Sequence, residues 1–151
     1  MSQDIRFVSQ LPATQYVQLE ALLFFNGRQE RVRSSIVAAI ERYGPPQVVE
    51  SDGSLRVQLN GLDDAQCLFA VDVTNGRERP VGVILYVRES FERITVVHLS
   101  VAEQFAAGGV HADDRLLYRM VQAVRQVARR TVGIERVDLF YSQGRPRAAF
   151  A

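Results

Sequence analysis

The stretch from Pro80 to Tyr141 constrains this chain most, because it reads strand, turn, strand, glycine-bearing loop, amphipathic helix and strand without a break. Val81 to Val87 is a nearly continuous apolar run, as expected of a central strand covered on both faces. Glu89 to Arg93 is polar and turns the chain, and Ile94 to Val101 is a second buried strand. Leu116, Leu117, Met120, Val121, Val124, Val127 and Ala128 then recur at three- and four-residue spacing, which predicts a helix with one apolar face. Asp113 or Asp114 is expected to cap its start, Arg129 and Arg130 to complement its C-terminal dipole, and Gly133 to end it. Ile134 to Tyr141 is the last strand of the stretch. Between the second strand and the helix lies Val101-Ala-Glu-Gln-Phe-Ala-Ala-Gly-Gly-Val-His-Ala-Asp-Asp114, and backbone N–H groups at such a junction form a natural anion site.

Upstream, Ile5 to Val8 reads as a short strand and Pro12 as a helix-start residue. Tyr16, Leu19, Leu22 and Leu23 fall at helical spacing up to Asn26-Gly27. A second helix is expected from Arg28 to Tyr43, with Val32, Ile36, Val37 and Ile40 as its apolar stripe, stopped by Gly44-Pro45-Pro46. Ser54 to Leu59 alternates, with Leu55, Val57 and Leu59 on one face, and so reads as a half-buried strand. Cys67 to Val73 is a strand, and Asn75-Gly76 marks a hairpin loop leading into Val81. No repeat or linker divides the sequence, so residues 1–151 are expected to form a single domain.

Composition narrows the function classes. The chain is 47% hydrophobic and 23% charged with a net charge of +1, ordinary for a globular protein and too weak a field to imply nucleic acid or an anionic membrane. Arg115, Arg119, Arg125, Arg129 and Arg130 are diluted by Asp113, Asp114 and Glu135 and lack interleaved aromatics, so they read as a solvated helix face. No run approaches the about 18 apolar residues of a membrane span, and no basic-then-apolar leader opens the chain. Cys67 is the only cysteine and sits in an apolar run, which suits a buried structural thiol in a reducing compartment; the expected location is the cytoplasm. Two histidines thirteen positions apart, with no paired-cysteine spacing, predict no metal site.

The order of elements resembles the GNAT acyltransferase superfamily. "LFAVDVTNGRERPVGVILYV" resembles that family's second-to-third strand hairpin, "ITVVHLSVAEQF" its fourth strand and exit, and "RLLYRMVQAVRQVARRTVGIERVDLFY" its third helix and fifth strand. The resemblance implies an α+β fold, a three-layer α/β/α arrangement around a mixed, mostly antiparallel central sheet. It also implies acetyl-CoA or another acyl-CoA as co-substrate, with no metal. In the family, the loop after the fourth strand carries Arg or Gln, two residues, Gly, one residue, then Gly or Ala, and its amides hold the CoA pyrophosphate. Those positions fall on Ala106, Gly109 and His111, so one of the three matches. A slipped register uses Gln104 and Gly108 with altered spacing. Carboxylates at Asp113 and Asp114 favour the helix dipole but repel a phosphate. Family members also continue after the fifth strand with a helix and two strands, which the ten residues from Ser142 to Ala151 are too few to supply.

On that resemblance, Leu99, Ser100 and Val101 offer strand backbone to the pantetheine and thioester, and Gly108, Gly109, Val110, His111 and Ala112 form the pyrophosphate cradle. Base candidates are His98, Glu89, Glu92 and Glu103, and Tyr141 is the candidate proton donor to the departing thiolate, although it does not occupy the family's tyrosine position. His98 lies three residues before Val101, and strand alternation places it on the face away from the family's basic residues. Two functional readings stand. One is an acyl-CoA-dependent N-acyltransferase, of retained, low or lost activity, acting on a small-molecule or peptide amine. The other is a non-catalytic GNAT-like module working through protein contact. Phe140, Phe150 and Leu139 offer extra apolar surface for a homodimer under either reading.

Overall fold

A computed structural model describes residues 4–24, 44–59, 65–105, 111, 115–139 and the backbone of 147–150. Its strands are β1 (Ile5–Val8), β2 (Leu11–Pro12), β3 (Pro46–Ser51), β4 (Ser54–Leu59), β5 (Gln66–Asp72), β6 (Arg79–Ser90), β7 (Arg93–Val101), β8 (Arg136–Leu139) and β9 (Arg147–Phe150). Its helices are α1 (Tyr16–Phe24) and α2 (Leu116–Arg129). The expected helix from Arg28 to Tyr43 and the end of α1 at Asn26-Gly27 lie outside the described residues.

The central sheet has the order β1-β5-β6-β7-β8-β9. Each neighbouring pair is antiparallel except β7 with β8, which run parallel because α2 carries the chain back between them. This is the expected mixed, mostly antiparallel α+β sheet. β6 lies at its heart, buried without interruption from Pro80 to Val87, which explains the apolar run. α2 packs on one face with Leu116, Met120, Val124 and Ala128, against Ile84, Tyr86, Ile94, Val96 and Val137. α1 packs on the other face with Leu19, Leu22 and Leu23, against Phe69, Val83, Leu85 and Val97. Tyr16, placed on the buried stripe by its spacing, is instead exposed, as is Val17.

Several features depart from the sequence reading. A separate three-stranded sheet, β2-β4-β3, shares the α1 side, where Leu11, Leu55, Val57 and Leu59 join that core. β3 begins at Pro46, which the sequence places in a helix stop; a proline lacking an N–H is tolerated at the first position of an outer strand. β9 pairs antiparallel with β8, Val137 opposite Ala149, so the last residues of the chain add an outer strand that composition did not reveal. The β5–β6 connection contains a 3₁₀ turn at Thr74–Gly76, held by the Thr74 amide donating to Asp72 Oδ1 at 2.9 Å.

Candidate functional site

Ligands of sheets with parallel strands gather at the carboxyl ends of those strands, where the crossover helix begins. Among the described residues β7 and β8 are the one parallel pair, so the relevant corner is the end of β7, the loop after it and the start of α2. The β7–β8 register runs from Arg93 opposite Arg136 to Val96 opposite Leu139, the last described residue of β8. At that level β7 is irregular: Leu85 of β6 faces His98 while Tyr86 faces Val96, leaving Val97 as an extra residue. A bulge of this kind bends its strand and re-aims the side chains beyond it.

The bulge decides where the candidate residues point. Val97 joins the α1-side core, and His98 lies opposite Leu85, a member of that same core, so His98 faces α1 as its spacing predicted. It is 5% exposed, and burial lowers its pKa from 6.5 to about 4, leaving the imidazole neutral at neutral pH. Leu99 and Val101 pack toward α2. Ser100 returns to the α1 side, where its buried Oγ donates to the Leu22 carbonyl at 2.6 Å and ties β7 to α1. Glu89 stands near the far end of β6, beside the turn into β7, so the fold separates it from the loop after β7 by the length of that strand.

After Val101 the chain makes a 3₁₀ turn at Glu103–Phe105, with Phe105 buried in the α2-side core. The His111 amide, one of those assigned to the phosphate cradle, donates to the Gln104 carbonyl at 2.7 Å. Its ring lies on Phe105 with centroids 5.1 Å apart. Gly108, Gly109, Val110 and Ala112, together with Tyr141 and Phe140, lie outside the described residues. The capping expectation is corrected: the residue preceding α2 is Arg115, in a left-handed conformation at φ 53°, and it makes no side-chain cap. The cap position therefore falls after the Asp113-Asp114 pair, and Arg115 directs its guanidinium over the Tyr118 ring at 4.7 Å.

A polar cluster that sequence reasoning missed lies on the α1 side of the β7–β8 pair. Val137 is buried against α2, so alternation turns Asp138 to the other face, in register with Thr95 of β7. The Asp138 side chain is 7% exposed, and its Oδ2 meets Arg93 Nε at 3.7 Å and an Arg136 Nη at 3.6 Å. Its Oδ1 is buried without a hydrogen-bond partner, and so is Arg93 Nε. In the sequence, Asp138 between Val137 and Leu139 looks like an ordinary outward-facing strand residue, which is why it drew no attention.

Elsewhere, a groove of about 770 Å³ opens between the C-terminal end of α2 and the β6–β7 turn, lined by Tyr86, Arg88, Phe91, Ile94, Val127 and Thr131 among others. Cys67 is buried, its thiol pushed up by desolvation, and its Sγ lies 3.7 Å from the Ser9 carbonyl oxygen, as suits a structural thiol. Among the described residues no group of three or more metal-ligating side chains comes together, and no helix is long and apolar enough to cross a membrane.

No family model matches this chain, and a comparison with curated proteins finds no match. Among solved structures, the crystal structure of an acetyltransferase from Streptococcus agalactiae 2603 superposes over 92% of this chain and 73% of its own length. The TM-score is 0.52 and the sequence identity 15%. The chain is similar to that protein in fold.

Proposed function

We propose that this chain is an acyl-CoA-dependent N-acyltransferase that moves an acetyl group from acetyl-CoA to a primary amine on a small molecule or peptide. The observation that carries this reading is the bulge at Val97, set where the described β7–β8 parallel register ends and on the strand that leads through a loop into α2. A bulge turns strand amides out of the regular ladder, and amides aimed at a thioester carbonyl stabilise the oxyanion that forms on attack. The likeness in fold to an acetyltransferase supports the reading.

The chemistry needs no covalent nucleophile. The amine nitrogen attacks the thioester carbonyl carbon, a C–N bond forms, the C–S bond breaks, the nitrogen loses a proton to a base and the CoA thiolate gains one. Backbone of Leu99 to Val101 holds the pantetheine arm by strand-like pairing. The loop amides of Gly108, Gly109, Val110 and Ala112, with the first turn of α2, hold the pyrophosphate in this reading. His98 adjoins the bulge, but its burial on the α1 face and its pKa of about 4 make it a weak base, so it does not fit the role of proton acceptor.

Calorimetric titration with acetyl-CoA, and with CoA alone, tests this. Binding at micromolar affinity or tighter, weakened by Gly109→Glu, is expected. No heat and no thermal shift at millimolar ligand overturns it.

One observation favours the second reading, a non-catalytic module. The His111 amide is taken by the Gln104 carbonyl and its ring is packed on Phe105, an arrangement that withdraws one cradle donor. Under that reading the chain acts as a homodimer, and sedimentation at micromolar concentration yields a stable dimer that ignores acetyl-CoA.

A further inference from the structure

Buried polar atoms are almost always satisfied, so a donor and an acceptor left open side by side ask for a ligand of matching polarity. Arg93 Nε–H and Asp138 Oδ1 are such a pair: both are buried and neither has a hydrogen-bond partner. The nearest approach between their side chains, Nε to Oδ2, is 3.7 Å, too long for a direct hydrogen bond. The charge around them decides what fits. One carboxylate stands between two guanidinium groups, Arg93 and Arg136, so the cluster carries a surplus of positive charge and disfavours a further cation. A neutral group that both accepts and donates, a carboxamide or a hydroxyl, satisfies Arg93 Nε–H and Asp138 Oδ1 together.

Position relates this pair to the bulge. Asp138 is in register with Thr95, and Val97 is the next residue of β7 on the same face. Two residues along a strand span about 7 Å. The Arg93 side chain, 33% exposed, forms the outer edge of the pair, and Asp138, 7% exposed, its buried floor. We infer that Arg93 and Asp138 form a recognition pair for a neutral carboxamide or hydroxyl carried by the acceptor, a few bonds from its reactive amine. Calling the ligand an acceptor rests on the acyltransferase reading; the pair's affinity for such a group does not.

The test uses the full chain and two probes, 4-aminobutanamide and its apolar isostere 4-methylpentylamine. The first readout needs no acyl-CoA: the Arg93 Nε–Hε resonance in an NMR titration. It is expected to shift with 4-aminobutanamide, to stay still with 4-methylpentylamine, and to stop responding in Asp138→Asn. Arg93→Lys keeps the charge but removes the Nε–H, and serves if the Asp138 variant fails to fold. The second readout is acetyl transfer, with 4-aminobutanamide preferred by about tenfold or more in kcat/KM, the discrimination of one buried hydrogen-bonded group. That preference is expected to fall to near one in Arg93→Lys. A shifting Arg93 resonance without transfer to any amine leaves the pair standing and removes the acyltransferase reading. Equal transfer to both probes with an unmoved resonance overturns the pair and leaves the enzyme. A long-lived water contact at Arg93 Hε that neither probe displaces also overturns it.

Discussion

Burial of His98 makes it sensitive to acid. Its pKa is about 4 in the folded chain, against 6.5 when exposed. Between those values the unfolded chain binds a proton that the folded chain refuses, so its contribution to stability is complete above pH 6.5 and is lost as pH falls toward 4. The full swing is on the order of 3 kcal/mol, at about 1.4 kcal/mol per pH unit. Urea unfolding of wild type and His98→Gln between pH 4 and 7 checks this: the difference between the two slopes isolates His98, and parallel slopes refute it. Asp72 is shifted the same way, downward, but by a different cause, and its contribution is likewise lost as pH falls. Burial alone raises its carboxyl, but the Thr74 hydroxyl and amide and the Arg79 guanidinium outweigh that and hold it below the usual carboxylate value. Thr74 Oγ1 also accepts the Asp4 amide at 2.9 Å, so Asp72 organises both the turn and the start of β1. Asp72→Ala is expected to cost about 1–3 kcal/mol, read as a fall in the urea midpoint at pH 7. At this scale the sequence was uneven evidence. The inward face of His98 followed from its spacing, whereas the burial of Asp138 depended on neighbours brought from β7, which no local pattern reports.

Elements meet here through close approach at two glycines. Gly82 of β6 lies under α2, and a Cβ there would stand 2.6 Å from Met120 Sδ and 3.2 Å from Ala70 Cβ. Met120 is fully buried and has little room to retreat, so Gly82→Ala is expected to cost about 1–3 kcal/mol by overpacking, visible in thermal unfolding. Gly133, at φ 91°, closes α2 with the Phe91 ring against it. Arg88 braces that corner, donating to the Phe91 carbonyl at 2.6 Å and the Val132 carbonyl at 2.9 Å while lying over the Phe91 ring. Phe91 is largely exposed and can swing aside, so the cost of Gly133→Ala is set by the left-handed backbone, about 1–2 kcal/mol. A loss no greater than that of an exposed Ala substitution elsewhere would contradict this. Long elements with strong periodicity, β4, β6, β7 and α2, were legible because their burial is regular. The two-residue β2, the proline-led β3 and the terminal β9 were not, because their existence depends on the strand they pair with and not on their own pattern.

The described residues place the central sheet between two apolar cores, one under α1 and the small sheet, the other under α2. Leu55→Ala in the first and Met120→Ala in the second are each expected to cost about 2–5 kcal/mol, and their effects to add within about 0.5 kcal/mol, since the sheet separates them. A double-mutant cycle in guanidinium measures the coupling, and a larger departure would mean that the faces communicate through β6. The layered α+β plan was readable from the order of elements; the candidate site at the end of β7 was readable only in part, because the loop matches the resembling family at one position and the bulge beside it leaves no trace in composition. The bulge also reverses the parity of its strand. Even-numbered Ile94 and Val96 face α2 before it, and odd-numbered Leu99 and Val101 face α2 after it. β7 changes step once along its length, and Val97 is the beat that makes the change. Removing that one residue would put the strand in a single rhythm and turn nothing over: His98 would follow Val96 directly and still face α1, and Leu99 and Val101 would still face α2. For this strand a deletion at the bulge only restores the ordinary tempo, whereas flattening the bulge with Val97 kept would act as a frameshift in space.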